Sequence, residues 1–172
     1  MSNFYCIWIK TGEEEKYIDE MQPRLNACEY GFSGMLYFPK KKMRLKKGKE
    51  FIEPIFPGYV FLETQEEDNL RLAELKSGSG FIKFLPQTGK AQALGSNDRA
   101  IIESLVKFGS VIPIIKATFD VNDRIVILDG PFKDIPGKIV AVNRRNKRVN
   151  IELEIMNGVR MVGLTYEEVK RV

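Results

Sequence analysis

Apolar positions along this chain follow two rhythms, and only one of them survives to the end. Tyr5–Ile9 (YCIWI) is a short apolar run of strand type. Thr11 stands three residues before Glu14, the spacing of a capping box, which predicts a helix start. Tyr17, Ile18, Met21 and Leu25 then recur at helical spacing, with Pro23 expected to kink or end that helix. SGMLYFP reads as a strand, and EFIEPIFPGYVFLE as a strand, a Pro-Gly turn and a second strand. Asp68 is placed to cap a helix carrying Leu70, Ala73 and Leu75, and SGSGFIKFLP turns into another strand. SNDRAIIESLVKFG is the clearest helix. It opens on Ser96–Asp98, carries Ile101, Ile102, Leu105 and Phe108, and meets a natural stop at Gly109.

From Asp120 onward the helical period is gone. Asp129-Gly130, Pro136-Gly137 and Asn157-Gly158 divide the rest into short strands. Val149, Ile151, Leu153 and Ile155 alternate with polar residues, as a half-buried strand does, and Asn157-Gly158 supplies a hairpin turn. Roughly 50 residues of this kind make a small barrel of about five strands, near the lower limit for independent folding. The expected organisation is an α+β domain over residues 1–109, an antiparallel sheet with helices, then a linker over 110–119. A small all-β barrel over 120–172 completes it.

Composition narrows the function. The 172 residues are 44% apolar and 29% charged, the profile of a folded soluble protein. No apolar run approaches the roughly 20 residues that span a bilayer. The first residues lack a basic leader and a cleavage site, so no signal peptide is expected and the cytoplasm is the expected location. There is no histidine, which removes the commonest general base and metal ligand. Cys6 and Cys28 lie apart among apolar neighbours and read as small buried thiols. No phosphate-binding loop, dinucleotide fingerprint or nucleophile elbow occurs. We therefore expect no enzyme, no metal and no cofactor. The net charge of +4 is mild, but the basic residues come in two bursts: Lys40–Lys49 (KKKMRLKKGK) and Arg144–Arg148 (RRNKR). Such bursts are footprints of nucleic-acid binding, or else solvated loops.

Asp123–Val142 (DRIVILDGPFKDIPGKIVAV) joins a strand, a glycine turn, Pro-Phe and a second glycine before the next strand. Gly130 and Gly137 suit tight turns. This stretch resembles the KOW motif of NusG-type transcription factors and several ribosomal proteins. FPGYVFL, with a basic loop before it and a helix and SGFIKFLP after it, resembles the NGN domain of the NusG family. YCIWIKTGEEEKYIDEM matches that domain's first strand and helix. The resemblance covers nearly the whole chain in the right order.

The resemblance implies that the NGN-like domain grips the clamp helices of the largest RNA polymerase subunit through an apolar patch. By motif position that patch includes Tyr59, Phe61 and Phe81. Alternation sends Tyr59 and Phe61 to one strand face; periodicity alone would make them core. The resemblance also implies contact with the non-template DNA strand, with Lys10, Thr11 and Arg71 as candidates beside the reading of plain surface residues. The Lys40–Lys49 burst is expected as a mobile hairpin loop that meets DNA or polymerase, or only solubilises.

The second burst lies at a hairpin tip. Arg144, Arg145, Lys147 and Arg148 gather cationic donors there, and Lys133 and Lys138 are expected to extend one basic face toward RNA, such as a nascent hairpin. Ile155–Leu164 (IMNGVRMVGL) departs from the family's usual IFGRxTPVEL: Met156 replaces a Phe and the Pro is missing. That puts the usual Rho and ribosome contacts in doubt and suggests a specialised paralog of the RfaH or LoaP kind. Competing readings are a housekeeping member coupling polymerase to Rho or the ribosome, and a ribosome-associated KOW protein. The last leaves the first 110 residues unexplained. A monomer is expected.

Overall fold

The computed structural model describes residues 2–86, 90–135 and 137–170. Pro136 of the expected Pro136-Gly137 turn lies outside the described residues, as do Met1, Arg171 and Val172. The chain divides into two compact units: Met1–Phe38 with Phe56–Ile102, and Pro39–Ile55 with Glu103–Val172.

The first unit contains β1 (Asn3–Ile9), α1 (Glu14–Asn26), β2 (Met35–Tyr37), β5 (Tyr59–Thr64), α2 (Asn69–Leu72) and β6 (Phe81–Leu85). Its antiparallel sheet runs in the order β2-β5-β1-β6. Because side chains alternate along a strand, β1 sends Tyr5, Ile7 and Ile9 to one face. There they meet Val60 and Leu62 of β5, Phe84 of β6, and the Tyr17, Met21 and Leu25 stripe of α1. Each fully buried side chain of this size contributes about 1.5–3 kcal/mol. The helix continues through Pro23 to Asn26. The expected capping box does not form. Gly12 turns the chain with φ +95°, and the Glu14 carboxylate accepts from the Gly12 N–H instead of reaching back to Thr11. Asp68 does cap α2, its carboxylate accepting the Leu70 N–H at 2.9 Å.

Tyr17 anchors this core. Its ring is fully buried and its hydroxyl donates to the Leu75 carbonyl at 2.8 Å. Burial, then the nearby Tyr30 and Glu20, push its ionisation far above the ordinary value of 10.0. Folding therefore holds the phenol protonated where the unfolded chain would release the proton. The stability this confers is fully present below pH 10 and is lost progressively as pH rises above it. In an alkaline titration, tyrosinate absorbance from Tyr17 should appear only together with loss of far-ultraviolet circular dichroism. Ionisation of all six tyrosines in a chain that stays folded would refute this.

The second unit contains β3 (Lys40–Arg44), β4 (Glu50–Pro54), β7 (Val111–Ile112), β8 (Ile115–Phe119), β9 (Ile125–Ile127), β10 (Lys138–Asn143), β11 (Arg148–Ile155) and β12 (Gly158–Glu168). The division of the chain falls within α3 (Ser96–Val106), in which Ile101, Ile102 and Leu105 are buried, while Phe108 beyond its end is exposed. β3 pairs with β4 as a hairpin and with β7 in parallel. A five-stranded sheet follows in the order β10-β11-β12-β8-β9, an all-β half-barrel. Residues 110–119, expected as a linker, hold β7 and β8 instead. Ile112, Ile115 and Ala117 are buried, and β8 runs parallel to β12. Pro113 between two short apolar runs hides this pairing from a periodicity reading.

The glycine turns have different causes. Gly130 has φ +79°, which a side chain would strain. Gly137 needs room: a Cβ there would come 2.7 Å from Ile151 Cγ2 and 2.8 Å from Leu153 Cδ2. The β11–β12 hairpin turns one residue earlier than expected. Ile155 pairs with Gly158, so Met156 and Asn157 are the loop, with φ +53° and +57°. Both positive angles match the right-handed strand twist, as in a type I′ turn.

Candidate functional site

The sheet of the first unit has a second face, away from α1. Residues paired across strands share a face, so Cys6 and Trp8 of β1 lie there with Phe61 and Tyr59 of β5. Lys83 of β6 is Trp8's partner on the other side. Tyr59, Trp8 and Lys83 thus form one cross-strand row, all half-buried. The Lys83 ammonium lies 5.1 Å from the centre of the Trp8 ring, a cation–π pair. An amphipathic row of this kind offers apolar area and charge together.

Two expected patch residues are placed differently. Phe61 shares the face with Tyr59 but is fully buried, edge-on to Phe56 at 6.1 Å. It is the covered part of that face beside the row and does not lie open on it. Phe81 is on the α1 side, packed on the core and 5.2 Å from the Phe84 ring. A register shift between Trp8 and Ile9 puts Phe81 opposite Ile9. The sequence reading missed Trp8. Its strand period relative to Tyr5, Ile7 and Ile9 was the signal that could have found it.

Lys10 and Thr11 follow Ile9, two and three residues after Trp8, and are exposed. The Lys10 N–H donates to Gly80 at 2.8 Å, while Ile9 donates to Gly58 at 2.7 Å, so both turns close over this end of β1. Arg71 is elsewhere. It pairs with Glu66 at 3.2 Å and donates to Gly31, near the end of β5 that faces the start of β1. A strand of this length separates its ends by about 20 Å, so Arg71 does not join Lys10 and Thr11. Cys28, expected buried, is exposed in a turn with φ +55°; Cys6 is buried.

The Lys40–Lys49 burst is a structured hairpin and not a loose loop. Lys41 is almost fully buried, pairs with Glu53 at 3.2 Å and donates to the Gly163 carbonyl. Desolvation lowers its pKa, with Glu53 opposing that shift. The Arg44 N–H donates to Thr165 Oγ1 at 3.0 Å, and Arg148 donates to the Arg44 carbonyl at 3.1 Å. Alternation explains it: Lys41 and Met43 face β12, while Lys40, Lys42 and Arg44 are only half-buried. Lys46, Lys47 and Lys49 remain exposed at the tip.

At the β10–β11 tip the four expected cations separate. Arg144 bonds Asp123 at 2.8 Å, approaches Glu168 at 3.7 Å and lies 3.7 Å from the centre of the Phe119 ring. Lys147 bonds Glu168 at 2.7 Å. These partners, Lys147 foremost, hold the Glu168 carboxyl below its ordinary range. Arg148 turns inward to the β3–β4 hairpin, 6.0 Å from the Phe51 ring. Arg145 is exposed. Lys133, in a short 3-10 turn, and Lys138 are exposed, and Lys138 begins β10 at its far end from the tip. The tip therefore gathers Arg144, Arg145 and Lys147, and leaves out Lys133, Lys138 and Arg148.

Among the described residues no group of acidic, cysteine or histidine side chains is arranged to hold a metal ion, and no helix is long and apolar enough to cross a membrane. The profile of the family described as "Transcription termination factor nusG" matches residues 2–103. The chain belongs to the NusG family and is a NusG-type transcription factor. It is 23% identical over 175 residues to the transcription termination/antitermination protein NusG of Neisseria meningitidis serogroup B, covering 98% of this chain and 97% of that one. It is 24% identical over 184 residues to the same-named protein of Xylella fastidiosa, covering 99% and 100%. The fold matches a solved structure of Thermotoga maritima NusG with a TM-score of 0.62 at 21% identity, covering 96% of this chain and 94% of that one. The second unit's half-barrel corresponds to a KOW-like domain in that fold.

Proposed function

We propose that this protein is an elongation and antitermination factor that binds RNA polymerase and performs no chemical step. The first unit holds the clamp helices of the largest polymerase subunit. Its contact is the row Tyr59, Trp8 and Lys83, with Phe61 packed beside it, and this row is the observation that carries the reading. Half-buried aromatics beside a cation are the usual anchors of protein interfaces. Lys10 and Thr11, exposed next to that row, suit the non-template DNA strand. The half-barrel adds a second contact, to nascent RNA, through Arg144, Arg145 and Lys147. Tethering two weak contacts raises the effective concentration of the second. Binding both polymerase and transcript favours the closed, transcribing clamp over the paused one by differential affinity. Met156 in place of the family's Phe, with the Pro missing, supports a specialised paralog over a member coupled to Rho or the ribosome; the protein is read as monomeric and cytoplasmic.

The test is a single-round transcription assay with the full chain added to a paused elongation complex. A shortened pause, and read-through of a terminator placed downstream, are the expected results. Unchanged pausing with no co-sedimentation of the protein with polymerase would sink this reading.

A further inference from the structure

β9 and β10 stand at the two ends of the five-stranded sheet, and among the described residues each has one edge with no strand partner. Between them lies a groove of about 460 Å³. Phe119, Ile125, Ile139 and Val142 give it an apolar lining, and Asp123, Arg124 and Arg144 a charged one. Ile139 and Val142 are 38% and 39% exposed, so the groove is open to solvent. Its size falls within the span of small-ligand sites.

Its chemistry favours one class of occupant. The Arg144 guanidinium carbon is 3.7 Å from the centre of the Phe119 ring, and Asp123 fixes it from the side at 2.8 Å. Phe119 is itself held edge-on by Tyr166 at 6.3 Å. The guanidinium therefore covers that ring face, and its own outer plane, backed by the ring and fixed by Asp123, is a surface on which an unstacked nucleobase stacks. Arg145, next along the chain and exposed, is placed for the adjoining phosphate. An added peptide strand fits less well. β9 spans only Ile125–Ile127, and β10 is irregular between Ile139 and Ala141, so neither edge offers a long, flat ladder.

We propose that this groove receives a single unstacked base of an RNA strand, stacked on the outer plane of the Arg144 guanidinium that Phe119 backs, with Arg145 on the neighbouring phosphate. The proposal rests on the reading of the half-barrel as an RNA contact and names the part of it that senses a base.

The test compares two fluorescent octamers of equal charge by anisotropy with the full chain at low salt. One is octacytidylate; the other has the same ribose-phosphate backbone without bases. The expected result is at least tenfold tighter binding of octacytidylate. Phe119→Leu should reduce that advantage to about twofold and leave the slope against log salt unchanged, since the phosphates contacted are the same. Ile139→Thr/Val142→Thr, at exposed wall positions, should reduce it as well, so the outcome does not hang on one variant folding. Equal affinity for the two octamers overturns the groove and leaves the RNA contact as one to phosphate alone. Failure of both octamers to bind overturns the groove and the RNA contact together. Binding of an acidic (Glu-Val)5 peptide that Phe119→Leu abolishes, with no binding of either octamer, assigns the groove to a peptide instead.

Discussion

Trp8→Ala should weaken binding to RNA polymerase by about 2 kcal/mol, roughly thirtyfold, with Tyr59→Ala close behind. Trp8 sits at the centre of the row, flanked by Tyr59 on β5 and Lys83 on β6. Removing its indole deletes the largest anchor and leaves the Lys83 ammonium without its aromatic partner. Lys83→Ala removes only the cation of a partly exposed pair and should cost about 0.5–1 kcal/mol. Phe61→Ala is a different kind of change. Its ring is fully buried against Phe56, so truncation should cost about 3–5 kcal/mol of folding stability. Titration of labelled full-length protein with core polymerase, beside a denaturant melt of each variant, separates the two. A Trp8→Ala protein that folds normally and binds with unchanged affinity would remove the row from the interface. Loss of affinity in Phe61→Ala alone, in step with loss of stability, would say the same.

Much of this was legible in the sequence because local chemistry decided it. Asp68 capped its helix, and Gly130 turned where a glycine was needed. The RRNKR burst lies at a hairpin tip between β10 and β11, as its position between two strand patterns implied. What the sequence hid depends on partners far along the chain. Lys41 reads as one more lysine in a basic run, yet its partners are Glu53 and the Gly163 carbonyl. Arg148 reads as part of the RNA-facing cluster, yet it bonds the carbonyl of Arg44. No local pattern announces such long-range pairings. Phe81 shows a subtler failure. A one-position register shift beside Ile9 moved it to the opposite face from the patch it was expected to join. Phe119 escaped notice because it lay in a stretch read as the end of a linker, whereas β8 places its ring beneath Arg144.

Gly78→Ala tests the packing that makes the first unit rigid enough to present its outer face. Gly78 has an ordinary negative φ of −69°, so backbone strain is not the issue. Space is. An added Cβ would fall 2.3 Å from Tyr17 Cε2 and 2.9 Å from Met21 Cγ. The Tyr17 ring has no easy retreat, because it is fully buried and tied through its hydroxyl to Leu75. Overpacking of this kind costs about 1–3 kcal/mol, a large share of the 5–15 kcal/mol that a domain has in all. A denaturant melt should show the midpoint falling with little change in slope. The ring's part in this can be isolated with Tyr17→Leu. That change is destabilising by itself, since it gives up the hydroxyl bond and buried area, but it vacates the space the new methyl would occupy. Gly78→Ala should then cost at least 1 kcal/mol less in the Tyr17→Leu background than in the original chain. Equal cost in both backgrounds would mean that the ring is not what the methyl meets, and that the core around Tyr17 is looser than its burial indicates.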